Sequence, residues 1–454
     1  MENIYEKFLE STAVSIDSRN CPEGAMFIGI KGANFDGNLF VEKALEQGCK
    51  YAITDNPEIG VGNPNIIHVA DSLKTLQDLA AYHRMKFNIP VIAITGTNGK
   101  TTSKELISTV LSKEYNTLFT LGNLNNHIGV PLTLLRLNRG HNIAVIEMGA
   151  NHPKEIEFLC KIARPNFGII TNVGKAHLEG FGSFEGVKKT KGELYEFISG
   201  VEGKIFLHAD NPHLCEMLNP DTEPVEVSMT AGNNVPAIAN ALETIKYGEA
   251  DENFVSGNIV SCTPYINVDL RLNGNASGEK QSYSVATQLI GDYNLSNILS
   301  AACIGRYFGV MDEDIVAALR EYTPNNNRSQ CTKTESNTLI VDAYNANPTS
   351  MDAALRNFSK IEAASKALIL GDMKELGEDS IMEHNKILAL IKTLGFTKAY
   401  FVGSEFAKVA GSEFACFENV ESLAEYFSQN PISDSTILIK GSNSTRLTKI
   451  VDSL

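Results

Sequence analysis

The run Gly96-Thr97-Asn98-Gly99-Lys100-Thr101-Thr102 has the residue types to hold a phosphate chain. Its glycines let backbone N–H groups converge on anionic oxygens, Lys100 adds a full cation, and Thr101 offers a hydroxyl to Mg2+. The apolar run Val91-Ile92-Ala93-Ile94-Thr95 leads into it, and helical spacing follows over residues 103–113. Strand, loop and helix therefore stand in the order a P-loop needs. The general Walker spacing asks for glycine five residues before Gly99, where Ile94 stands, so this is a variant with a more compact glycine pattern. The loop by itself licenses nucleotide-phosphate binding and no particular reaction.

Other residues could complete a site. Glu147 ends the apolar run Ile143-Ala144-Val145-Ile146, where a buried carboxylate needs a metal or a cation beside it; a solvent-facing strand end is the other reading. His177 and Lys191 follow the strand-like run ending Thr171-Asn172-Val173. On spacing alone, Lys188-Lys189-Thr190-Lys191 reads as a solvated face and His177 as an ordinary satisfied side chain. The loop at residues 122–131 brings Asn123, Asn125, Asn126 and His127 between glycines, and Asn345 and Asn347 occupy a similar run after Asp342. Such amides can read hydroxyls, carbonyls or phosphate oxygens.

The elements that must position these groups fall into three stretches, which we place at residues 1–88, 89–319 and 320–454. The first mixes short extended runs with helical spacing around residues 40–46 and 73–86, and Pro90 closes the second helix. The second repeats strand and helix from Val91 through residues 204–210, with alternating strand character over 256–290 and an apolar helix over 295–308. The third has four strand candidates, at 339–342, 366–372, 398–403 and 435–441, separated by helical stretches. That pattern predicts an α/β chain with mostly parallel sheets. The balance of 39 basic against 54 acidic side chains, a formal charge of -15, argues against nucleic acid as a partner. No secretory leader or transmembrane run stands out, and most of the eight cysteines, with no C-x-x-C among them, read as reduced core residues rather than disulfides or metal ligands. Both observations predict a cytoplasmic protein, and nothing in the residues requires more than a monomer.

Taken in order, the motifs resemble the Mur ligases of peptidoglycan synthesis over essentially the whole chain. The resemblance rests on Asp17-Ser18-Arg19, Phe35-Asp36-Gly37, the loop at 96–102, the amide loop at 122–131 and Glu147-Met148-Gly149. It continues through Ala176-His177-Leu178, Lys191-Gly192-Glu193, Gly291-Asp292-Tyr293-Asn294 with Asn297, and Asn327-Arg328-Ser329-Gln330. The runs at 342–348 and 370–377 and Lys440-Gly441-Ser442 complete it. It implies three domains: an N-terminal one for the UDP part of a sugar substrate, a central P-loop-type ATPase domain with a mostly parallel sheet, and a C-terminal Rossmann-like α/β domain. It further implies ATP and Mg2+, with Lys100 on the phosphates, Thr101 and Glu147 on one Mg2+, and His177 at a second site. Lys191 matches a lysine that is carbamylated in several members, which turns a cation into a metal-binding anion. Asn294 and Asn297 match positions near adenine, and Arg328 and Asp342 match residues that close over phosphates and ribose. Asp17, Ser18, Arg19, Asn125, Asn126, Asn345, Asn347 and Lys440 fall to substrate. Two departures stand out: Tyr293 replaces the usual histidine, and Asn443-Ser444 follows Gly441-Ser442 where relatives have Arg-Gly.

Within the family the likeness is nearest to members whose substrates are UDP-N-acetylmuramoyl-tripeptide and D-alanyl-D-alanine. The implied chemistry is amide formation through an acyl phosphate, with an earlier muramyl ligase or folylpolyglutamate synthase as the nearest alternative. An N-terminal domain and the Asp342-Ala343-Tyr344-Asn345-Ala346-Asn347-Pro348 run argue against folate. A nucleotide-dependent switch would need neither, and a degenerate scaffold would not keep Lys100, Thr101, Glu147, His177 and Lys191 together.

Overall fold

The computed structural model describes residues 1–218, 243–273, 280–324 and 328–454. Nineteen strands fall among these residues, in three sheets. Strands β1 (Val14–Ser15), β2 (Met26–Ile28), β3 (Tyr51–Thr54) and β4 (Ile66–His68) form a parallel sheet in chain order. The second sheet holds β5 (Val91–Thr95), β6 (Thr117–Phe119), β7 (Ile143–Glu147), β8 (Phe167–Ile170) and β9 (Lys204–His208). It also holds β10 (Glu243–Gly248), β11 (Val255–Cys262), β12 (Tyr265–Asn273) and β13 (Lys280–Ile290). Its order is β13-β12-β11-β10-β9-β8-β5-β7-β6, parallel from β6 to β11, with β11, β12 and β13 an antiparallel extension. The third sheet holds β14 (Gln330–Lys333), β15 (Asn337–Asp342), β16 (Lys366–Gly371), β17 (Ala399–Val402), β18 (Ala415–Phe417) and β19 (Ser435–Lys440), in the order β14-β15-β19-β16-β17-β18. It is parallel except for β14.

Alternation explains why the central strands read as continuous apolar runs. Val91 and Ala93 of β5 pack into one core while Ile92 and Ile94 pack into another, because successive side chains leave opposite faces of a strand. β7 divides the same way, Ala144 and Ile146 against Ile143 and Val145. Each such side chain contributes on the order of 1.5–3 kcal/mol by burial for the larger residues. One of these cores continues into the first sheet through Met26, Ile28, Ile53 and the helix Ser72–Arg84, so the first two sheets share apolar packing. The third sheet has its own two cores: Leu368 and Leu370 face the helices Pro348–Lys360 and Ser380–Thr393, and Ala367 and Ile369 face the helix Val420–Gln429.

Three local expectations change. Cys21 and Cys49 form a disulfide, with Cα atoms 6.7 Å apart, so they are not reduced core residues. They precede β2 and β3, whose parallel register Met26↔Tyr51 brings the two lead-in segments to one end of the sheet. Of the other six cysteines only Cys160 and Cys303 are buried. The phosphate loop is shorter than its motif, since the helix Lys100–Leu111 begins inside it. The amide loop likewise ends at Ile128, where the helix Gly129–Leu134 starts.

Candidate active site

The parallel strands β5, β7 and β8 end together, and their carboxyl ends meet those of β15 and β19 across a cleft of about 850 Å³. Sites in sheets of this kind form at such strand ends. The cleft is lined from the second sheet's side by Thr97, Asn98, Lys100, Glu147 and His177, and from the third's by Arg328, Asp342, Tyr344, Asn345 and Lys440.

The phosphate loop is held by packing that excludes side chains at its glycines. Gly96 has φ +144°, and a Cβ there would lie 2.1 Å from Thr171 Oγ1. Gly99 is left-handed at φ +77°, and a Cβ would meet Asn297 Oδ1 at 2.7 Å. Between them the loop is braced by β8's end: Thr97 N donates to Asn172 O at 2.9 Å, Asn98 N to Asn172 Oδ1 at 3.0 Å, and Thr171 Oγ1 to Asn98 O at 2.6 Å. Gly99 offers the helix Lys100–Leu111 no side-chain cap, and Gly99, Lys100 and Thr102 line the cleft at its start. Lys100 Nζ donates to Gly96 O at 2.8 Å and Thr97 O at 3.0 Å. Desolvation pulls its ammonium down to about 8 against the opposing pull of Glu147. Thr102 also lines the cleft.

Glu147 is 1% exposed. One carboxylate oxygen accepts from Thr101 Oγ1 at 3.1 Å and Asn125 Nδ2 at 2.8 Å, while Oε2 has no hydrogen-bond partner. A hydroxyl and an orphaned buried carboxylate oxygen side by side fit a hard divalent cation. Among the described residues no cluster of three or more His, Cys, Asp or Glu stands ready for a metal, so Mg2+ here would take its remaining oxygens from phosphate and water.

The structure overturns the solvated reading of Lys191. It is 2% exposed, and its amine faces Ala150 O at 3.4 Å and the Phe181 ring. Desolvation, with Lys100 nearby, pulls it down to about 7. His177 sits at φ +51° and pairs through Nδ1 with Glu375 Oε2, tying the second sheet's loops to the third's. That pairing lowers the Glu375 carboxyl against the opposing effect of burial.

Ser103, Asn297 and Asn294 form a chain. Ser103 Oγ donates to Asn297 Oδ1 at 2.9 Å, Asn297 Nδ2 to Asn294 Oδ1 at 2.8 Å, and Asn294 Nδ2 to Ile290 O at 2.8 Å. Tyr293, the departure from histidine, bonds Ser329 Oγ at 2.7 Å and so meets the third sheet's lead-in. Arg328 lies over the Tyr344 ring at 4.0 Å, whereas Asn327 lies outside the described residues.

Several candidates for substrate have structural partners. Lys440 Nζ meets Asp342 Oδ2 at 2.5 Å and Asn345 O at 3.4 Å, a pair set by the β15–β19 register. Asn347 caps the helix Pro348–Lys360 and donates to Asn98 Oδ1 at 2.8 Å, joining the third unit to the phosphate loop. Asn126 accepts from Ile128 N and Gly129 N, starting the next helix. Asp17 and Arg19 pair at 2.9 Å on the surface of the first unit, with Ser18 buried between them, and none of the three lines the cleft. Asn443 begins a short 3-10 turn and also lies off the cleft lining.

Sequence reasoning missed Lys104, Glu375 and Tyr344. The one available signal for Lys104 was its place four residues after Lys100, on the same helix face.

Comparison with known proteins matches three family profiles along the chain. They are the Mur ligase family catalytic domain at residues 10–84, the Mur ligase middle domain at 94–305, and the Mur ligase glutamate ligase domain at 327–443. The UDP-N-acetylmuramoyl-tripeptide–D-alanyl-D-alanine ligase of Bacillus subtilis is 32% identical, covering 97% of this chain and 92% of its own. The Escherichia coli enzyme of the same name is 32% identical over 97% and 93%. A crystal structure of MurF from Acinetobacter baumannii superposes with a TM-score of 0.83 at 28% identity, covering 100% of this chain and 98% of its own.

Proposed function

The chain belongs to the Mur ligase family, and from that premise we propose that it joins D-alanyl-D-alanine to UDP-N-acetylmuramoyl-tripeptide with cleavage of ATP to ADP and phosphate. One observation carries the reading: a phosphate loop, a buried carboxylate with a free oxygen and the third unit's Arg328 converge on a single cleft between two sheets. A binding switch needs the first two and has no use for the third unit's cover.

A free carboxylate is a poor electrophile, so phosphoryl transfer from ATP first makes an acyl phosphate. The dipeptide amine then attacks that carbonyl, and the tetrahedral intermediate expels phosphate. The uncapped start of the helix Lys100–Leu111 at the cleft supports reading the central unit as a P-loop-type ATPase. Lys100 would hold the transferring phosphoryl group, and Arg328 would neutralise charge that develops on it. Asn294 and Asn297 would flank adenine and Asp342 the ribose. Asp17, Ser18 and Arg19 would receive the uridine diphosphate on the first unit, while Asn125, Asn126, Asn345, Asn347 and Lys440 would line the path of the joined peptides. Thr101 and Glu147 would hold one Mg2+, which supplies charge neutralisation across the phosphates when bound. His177 and Lys191 would serve a second. Burial keeps the Lys191 amine largely neutral above about pH 7, the form that adds to carbon dioxide to give a carbamate.

The reading carries domain boundaries at 1–88, 89–319 and 320–454 and a monomeric, cytoplasmic protein. Among the described residues no helix is long and apolar enough to cross a membrane. Phosphate release, measured with each substrate omitted in turn, tests the whole proposal. It should require ATP, the muramoyl tripeptide and the dipeptide together; equal turnover without the dipeptide would overturn the ligase reading.

A further inference from the structure

Behind Glu147 lies a buried lysine that the proposed chemistry leaves unused. Lys104 is 1% exposed, one helical turn beyond Lys100. Its ammonium lies 3.9 Å from Glu147 Oε2, the oxygen with no hydrogen-bond partner, and 3.7 Å from Glu105 Oε1. It donates to Gly122 O at 3.2 Å, at the head of the loop whose Asn125 holds the other oxygen of Glu147. Glu105 in turn accepts from Tyr322 Oη at 2.5 Å, near the chain's passage to Arg328.

Burying an ammonium is costly unless charge nearby offsets it, and desolvation does depress this one. Its separation from Glu147 Oε2 is too long for a hydrogen bond yet short enough for a strong Coulomb attraction at the low effective dielectric of a buried site. A cation so placed compensates the carboxylate without hydrogen-bonding to its second oxygen.

We propose that Lys104 is a positioning residue that acts as the resident counter-ion of Glu147, so that a divalent cation binding at Glu147 competes with an internal positive charge. This inference rests on the reading of Glu147 as a Mg2+ ligand. Lys104 keeps the floor from carrying an uncompensated buried carboxylate when no metal is present. Because its charge repels the incoming ion, it also weakens the metal's hold and so favours exchange with each turnover.

The test is direct titration of Mg2+ into the ADP complex of the full chain, by calorimetry, alongside thermal unfolding without metal. Lys104→Met should bind Mg2+ more tightly, by on the order of tenfold, through loss of the repulsion. Lys104→Arg, which keeps the charge, should bind as the parent does. Should Lys104→Met fail to fold, Lys104→Gln supplies the same comparison. A purely structural lysine would lower thermal stability and leave Mg2+ affinity unchanged, and that result would overturn the proposal. If Glu147→Gln weakens Mg2+ binding while Lys104→Met leaves it unaltered, only the role of Lys104 fails. If Glu147→Gln has no effect, the metal-ligand reading fails and takes this proposal with it.

Discussion

The floor and the roof of the cleft are built by different means. On the floor, Lys100, Thr101 and Glu147 are positioned by a helix start and a strand end and Lys191 by the middle of the helix Phe184–Gly200, and they are buried or bonded to nearby backbone. On the roof, Asp342, Asn347 and Lys440 are held by partners far off in the chain, while Arg328 stacks on Tyr344. Asp342 meets Lys440 at 98 residues' separation, and Asn347 meets Asn98 at 249. The floor therefore concentrates charge in a rigid, desolvated frame, while the roof depends on how the third unit sits. Loss of a floor group should remove chemistry, whereas loss of a roof group should loosen its assembly.

Substitutions can break that comparison. Lys100→Ala should give the largest effect, a fall in kcat of roughly a thousandfold or more with the fold intact, read by phosphate release and circular dichroism. Lys191→Ala should lose roughly a hundredfold or more, with partial rescue by short-chain carboxylic acids standing in for the carbamate. Full activity in that variant would end the carbamate reading. Arg328→Ala should cost on the order of a hundredfold in kcat/KM, because the cation removed acts mainly on developing charge. Asn347→Ala should be mildest, about tenfold, by loss of both a helix cap and the bond to Asn98. Its effect should fall on the KM for ATP at least as much as on kcat. If Asn347→Ala proved as damaging as Lys100→Ala, the roof would be part of the chemistry and the division would fail.

The floor was legible in the sequence because its logic is local. Apolar residues, a glycine-bounded loop and a helix specify a strand–loop–helix turn within about twenty residues, and Glu147 ends a strand whose apolar run is just as plain. The antiparallel extension through β11, β12 and β13 was likewise visible as alternation. Lys191 and the pair Cys21–Cys49 were not. A lysine in a run of lysines looks solvated until Ala150 and Phe181 close over it, and two cysteines 28 residues apart meet only through strand register. The strand β14 and the short β18 also escaped notice, since a strand of three or four residues is too short to show a period.

By itself, then, the sequence determined the strand, glycine loop and helix at residues 91–111, the order of three α/β units and the charged residues that stand near their strand ends. These follow from periodicities and motifs that span one or two elements. Only the tertiary structure decided that Glu147 keeps an oxygen free, that Lys104 stands behind it, and that Asn347 reaches back to the loop. Burial and pairing at such distances depend on which strands lie side by side, and no local pattern carries that information.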